Sequence, residues 1–176
     1  SSFGQPRQST WIDLVGTARG WYPRNIGLNG AGYATSTSTG KSYIDQIEMA
    51  GLSDADGIVL SGGLNDVIGS TSIEVIASRI SQALTRIRSA APKTPLTVVS
   101  VFNPYSDVPP RMTEVNSILE AQANRVGAQY VYASDLLGGD PALVASDQFH
   151  ASPDGHARIA QALAPQIATP LPTTRR

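Results

Sequence analysis

The pattern that most restricts the fold of this chain is an alternation of short apolar runs with longer segments of helical period. Gly57-Ile58-Val59-Leu60 is a short apolar run that breaks off into Ser61-Gly62-Gly63-Leu64-Asn65-Asp66. Such a run reads as a strand buried in a parallel sheet. Residues 72–90 then carry Ile73, Ile76, Ile80, Leu84 and Ile87 at intervals of three to four, the stripe of a helix lying on a core. Pro92 and Pro95 close the connection to residues 96–102, the clearest strand in the chain. A second helix over 111–126, with Val115, Ile118, Leu119 and Ala123 facing inward, ends at Gly127, and a strand over 129–132 follows. Strands alternating with helices of this length predict a mostly parallel sheet covered on both faces.

The N-terminal part fits the same plan. Apolar spacing predicts a helix over 9–18, stopped by Gly20, and another over 42–49 with Tyr43, Ile44 and Ile47 on one face. Between them residues 21–26 read as a short edge strand interrupted by Pro23, running into the glycine-rich 27–32. Ligands bind outside the carboxyl ends of strands in such sheets. The polar stretches 27–32, 61–66 and 103–105 are therefore expected to gather on one rim. One domain over residues 1–168 is expected, followed by a mobile tail over 169–176 with two prolines and two arginines.

Composition narrows the function classes. The chain has 176 residues, of which 41% are hydrophobic and 15% charged, so it can bury a real core. A formal net charge of −1 removes the electrostatic argument for nucleic acid or an anionic membrane surface, and a small or uncharged substrate fits better. With no cysteine, neither a disulfide nor a thiolate metal site can form. No apolar run approaches the roughly 20 residues of a membrane span.

Both histidines lie in Asp147-Gln148-Phe149-His150-Ala151-Ser152-Pro153-Asp154-Gly155-His156. Ser152 is a candidate N-cap, Pro153 a first helical residue and Asp154 a first-turn acid, which predicts a helix over 153–167 and puts His150 in the loop before it. An imidazole with a carboxylate three residues earlier has the parts of a general base with an orienting group. The competing reading is a capped loop with an incidental histidine. Acyl transfer also needs oxyanion donors. A backbone N–H in 27–32 and the side-chain amide of Asn65 are suitable, against a plain tight turn for the former and an Asx-turn of Asn65 with Asp66 for the latter.

Taken together these stretches resemble a known family. Gly63-Leu64-Asn65-Asp66 is similar to the G-x-N-D block of the SGNH, or GDSL-type, hydrolases. Asp147-Gln148-Phe149-His150, followed by Gly155, resembles the D-x-x-H block, and residues 25–30 resemble the block whose glycine amide binds the oxyanion. The resemblance implies a three-layer α/β/α sandwich with a flavodoxin-like sheet, and esterase, lipase or carbohydrate-deacylase activity without a metal or cofactor. It makes His150 the base, Asp147 its orienting carboxylate, and Gly30 with Asn65 the oxyanion donors. His156 matches no catalytic position and is expected on the outer part of the last helix. A metal site from Asp147, His150, Asp154 and His156 would lack a third histidine.

The family's G-D-S motif, at the end of a first central strand, has no counterpart in the chain. Counting back four residues from Gly4 places the nucleophilic serine just ahead of Ser1, with Ser1 as the fallback. The expectation is that a segment carrying the first strand and the serine belongs to the protein. Ser61 and Ser100 are read as structural. Tyr105 and Phe149, with the loop 103–110, are expected to border the substrate. The partners implied are small-molecule, carbohydrate or lipid esters, and the family's habits imply a location outside the cytoplasm. The alternative readings are a non-catalytic domain, or a nucleotide- or phosphate-binding module of the same fold at residues 27–32. Against the latter, the glycines are not spaced as G-x-G-x-x-G and no P-loop lysine follows.

Overall fold

A computed structural model describes residues 9–172. Among these residues three strands, β1 (Ile58–Ser61), β2 (Leu96–Val99) and β3 (Gln129–Val131), form a parallel sheet in the order β1-β2-β3. The register sets Leu60 opposite Val98 and Val98 opposite Tyr130. Among the described residues six α-helices surround the sheet: α1 (Trp11–Arg19), α2 (Tyr43–Met49), α3 (Leu64–Ile68), α4 (Ile73–Ala90), α5 (Pro110–Arg125) and α6 (Pro153–Leu163).

Strand alternation divides the core into two clusters, because successive side chains leave opposite faces of a sheet. Leu96 and Val98 pack with the buried residues of α2, α4 and α5. Val99 and Val131 pack with Trp11 and Val15 of α1 and with Ile159 and Leu163 of α6. The result is the expected α/β/α sandwich. In α4 the predicted stripe is the buried face, with Ile76, Ile80, Leu84 and Ile87 closed to solvent. Burying each of these stabilises by about 1.5–3 kcal/mol relative to exposure. Ser72 caps the helix, its Oγ accepting the Val75 N–H at 3.4 Å.

Several boundaries differ from the sequence reading, each for a local reason. Residues 21–26 form no strand. Pro23 packs on Gly16, where an added Cβ would lie 2.5 Å from the proline ring, and the Arg19 guanidinium stacks 4.2 Å above Trp21. These contacts tie the segment to α1 and away from the sheet, so the glycine-rich 27–32 follows coil. Strand β2 ends at Val99 because side chains take over the backbone partners beyond it. The Val101 N–H donates to Asn116 Oδ1 at 2.9 Å, and Ser134 Oγ donates to Val101 O at 2.7 Å. Strand β1 is half-buried along its whole length, not fully buried. Among the described residues it pairs only with β2, and its other edge opens on a cavity. At the C-terminus, Leu171 N–H donates to Asp56 O at 2.7 Å and Pro170 packs on Gly57.

Candidate active site

The cavity has a volume of about 390 Å³ and runs along the open edge of β1. Ile58, Val59, Leu60 and Ser61 form its floor, and α1, α2 and α6 contribute Trp11, Ile47 and Ile159. Gly30, Asn65, Phe149 and His150 also line it. Of the three stretches expected on one rim, 27–32 and 61–66 meet at this cavity and 103–105 does not line it, and only the 61–66 stretch follows a strand directly.

A tight turn ahead of α6 builds the histidine site. Gln148 takes a left-handed φ of 58°, and Gln148 N–H donates to Ala145 O at 2.9 Å. The reversal brings Asp147 under His150. Asp147 Oδ1 accepts the N–H groups of Phe149 and His150 at 2.9 and 3.0 Å, while Oδ2 lies 2.6 Å from His150 Nδ1. Donation from the His150 backbone and ring holds the Asp147 carboxyl at about 2, so it is ionised throughout the neutral range. An ionised carboxylate on Nδ1 keeps the proton there and leaves the basic role to Nε2. Phe149 sits edge-on to the imidazole, ring centres 5.1 Å apart.

The turn is locked to α6. Ser152 Oγ accepts the Gly155 N–H at 3.1 Å and donates to Ala142 O at 2.6 Å. Gly155 is required by close approach, since a Cβ there would run into the carbonyl of Leu143. This explains the glycine that completes the D-x-x-H block.

Asn65 lies in the first turn of α3, directly after β1. Its Nδ2 donates to Ala31 O at 2.9 Å, which uses one of the two amide hydrogens and fixes the plane of the other. Gly30, with φ 76°, forms the turn that leads into Ala31. Gly30 follows coil and leads into coil, so it heads no strand-to-helix phosphate turn, and Gly27 N–H is already bound to Asn25 Oδ1 at 3.0 Å. Tyr105 does not line the cavity; its backbone is held by Asn103, whose Oδ1 accepts the Tyr105 N–H at 3.1 Å. Ser1 lies outside the described residues.

Two residues were misjudged by the sequence reading. His156, expected on the outside of α6, is 1% exposed and lines the cavity. Its Nδ1 accepts the Trp11 N–H at 3.1 Å, and burial pushes its pKa down to about 4. The stripe His156, Ile159, Ala160 and Leu163 has helical period, which was the available signal. Asp66, the last residue of the G-x-N-D block and otherwise expected only as a turn partner of Asn65, is fully buried. Its Oδ2 accepts the Tyr33 N–H at 2.7 Å and its Oδ1 those of Ala34 and Thr35, both at 2.9 Å. Among the described residues, no three His, Cys, Asp or Glu side chains cluster as a metal site would need.

The model of the GDSL-like lipase/acylhydrolase family matches residues 1–158. The chain belongs to this family. It is 29% identical over 144 residues to a GDSL lipase of Mycobacterium tuberculosis, an alignment covering 80% of this chain and 62% of that protein. A carbohydrate acetylesterase from Sinorhizobium meliloti superposes with a TM-score of 0.73 at 15% identity, over 92% of this chain and 85% of its own. A lipolytic protein of the G-D-S-L family from Veillonella parvula gives 0.71 at 16% identity, over 93% and 90%. At such identities the superpositions speak to the fold, and they agree on an α/β architecture for this family member.

Proposed function

We propose that this GDSL-family protein is a serine hydrolase that cleaves carboxylic esters through an acyl-enzyme. The observation that carries the reading is the 2.6 Å His150–Asp147 pair on the wall of a cavity that also holds Gly30 and Asn65. In the proposed cycle His150 Nε2 takes the proton from a serine hydroxyl as its oxygen attacks the ester carbon. Gly30 N–H and the second Asn65 Nδ2–H stabilise the oxyanion, each donor contributing about 3–4 kcal/mol to the transition state where such donors have been removed. Collapse expels the alcohol, which takes the proton from His150. Water, deprotonated by the same nitrogen, then releases the acid.

The nucleophile is assigned to the serine that the family's motif order calls for, at Ser1 or just ahead of it. Support comes from the order of the family's blocks and from the placing of His150 in the lining of the cavity. The substrate class is short-acyl, lipid or carbohydrate esters, in keeping with the family and with relatives named as a lipase and a carbohydrate acetylesterase.

Turnover of a short-chain p-nitrophenyl ester by the full-length protein tests the reading. His150→Ala is expected to cost about 10³–10⁴-fold or more in kcat with an unchanged far-UV spectrum. Wild-type turnover that survives this substitution unchanged refutes it.

A further inference from the structure

We infer that Asp66 is a positioning residue for the oxyanion site, fixing the loop that orients Asn65. The inference rests on the ester-hydrolase reading. A carboxylate closed to solvent is costly unless its lone pairs are satisfied, and Asp66 is satisfied by three consecutive backbone N–H groups, those of Tyr33, Ala34 and Thr35. Consecutive amides pointing at one anion form a nest, and the anion in turn fixes their conformation. This nest begins two residues after Ala31, whose carbonyl accepts the Asn65 side-chain amide.

The two contacts close a ring. Asn65 and Asp66 leave α3 side by side; one holds residue 31, the other holds residues 33–35, and Gly32 joins them. A Cβ on Gly32 would lie 2.5 and 2.6 Å from the Asp66 carboxylate oxygens, so loop and carboxylate are in full contact. Thr35 Oγ1 adds a bond to Asn65 O at 3.3 Å. Arg111 clamps the other side of the turn by donating from Nε and Nη2 to Asp66 O, both at 3.3 Å. With the loop held at both ends, the Asn65 amide has one orientation available, and Gly30, one residue before Ala31, is carried on the same loop. Preorganised donors are effective because they need no reorganisation as charge develops. Asp66 touches no reacting atom in this scheme.

Steady-state ester kinetics on the full-length protein test this with a double-mutant cycle. Asp66→Asn turns one acceptor oxygen into a donor facing backbone donors. The expected result is a fall in kcat of about 10–100-fold with KM within about twofold, bounded by the 10²–10³-fold cost of losing an oxyanion donor outright. In an Asn65→Ala background the same change should cost less than about threefold, because the group being positioned is gone. Gly32→Ala, which pushes the carboxylate away without altering it, should show the same dependence on Asn65, and it decides the matter if Asp66→Asn does not fold. Equal losses in the presence and absence of Asn65, from whichever variant folds, overturn the inference and leave ester hydrolysis standing. A wild-type protein without turnover overturns the ester reading first.

Discussion

Protonation of His156 should set the acid sensitivity of the fold. The side chain is 1% exposed, its Nδ1 takes the first N–H of α1, and burial holds its pKa at about 4 against 6.5 for a free histidine. The folded state therefore refuses a proton that the unfolded chain binds. For a group whose folded pKa is depressed, the stabilisation is complete above pH 6.5 and is lost progressively as the pH falls towards 4. Below that the folded state also binds the proton and the loss stops growing. At about 1.36 kcal/mol per pH unit, the window removes about 3 kcal/mol. His156→Asn keeps an acceptor near the Nδ1 position and does not titrate. Urea melts of both proteins at pH 7.5, 6, 5 and 4, followed by tryptophan fluorescence, give the comparison, with carboxylate titrations common to both cancelling. The wild type is expected to be the more stable at pH 7.5, and its advantage should shrink by about 3 kcal/mol by pH 4. An advantage that stays constant to within about 0.5 kcal/mol would show that His156 is not held neutral by burial.

Asp147→Asn retains the shape of the turn but loses the charge that orients His150, so kcat for a short ester should fall about 10⁴-fold with little change in stability; a loss under tenfold speaks against the pair. Among the described residues the buried Tyr33 hydroxyl has no hydrogen-bond partner, so Tyr33→Phe should be neutral or stabilising by about 1 kcal/mol in a urea melt. A clear destabilisation would mean that the hydroxyl is satisfied in solution.

The strand-helix alternation was legible because its signals are local. The stripe of α4, the Ser152-Pro153 start of α6 and the apolar runs at β1 and β2 depend on nothing distant. So was the D-x-x-H site, since three residues suffice to bring Asp147 to Nδ1. What escaped depends on contacts between segments far apart in the chain. Whether residues 21–26 pair as a strand was decided by Gly16 and Arg19 on the neighbouring helix, whose packing no periodicity within the segment encodes. The role of Asp66 requires residues 33–35, some thirty positions earlier, to turn their N–H groups towards it. His156 could have been placed from its spacing with Ile159 and Leu163, but a lone polar residue on an apolar stripe was read by its polarity. Apolar content marks β1 as a strand but does not say how many of its edges are covered; among the described residues it pairs only with β2.

The central claim is that His150 and Asp147 activate a serine, and covalent labelling tests it most directly. Full-length protein treated with a fluorophosphonate should gain one adduct by intact mass, mapped to a serine N-terminal to Ser9. His150→Ala should label at least about 10³-fold more slowly. Ester turnover without any serine adduct, or labelling at the same rate in both proteins, would contradict the account.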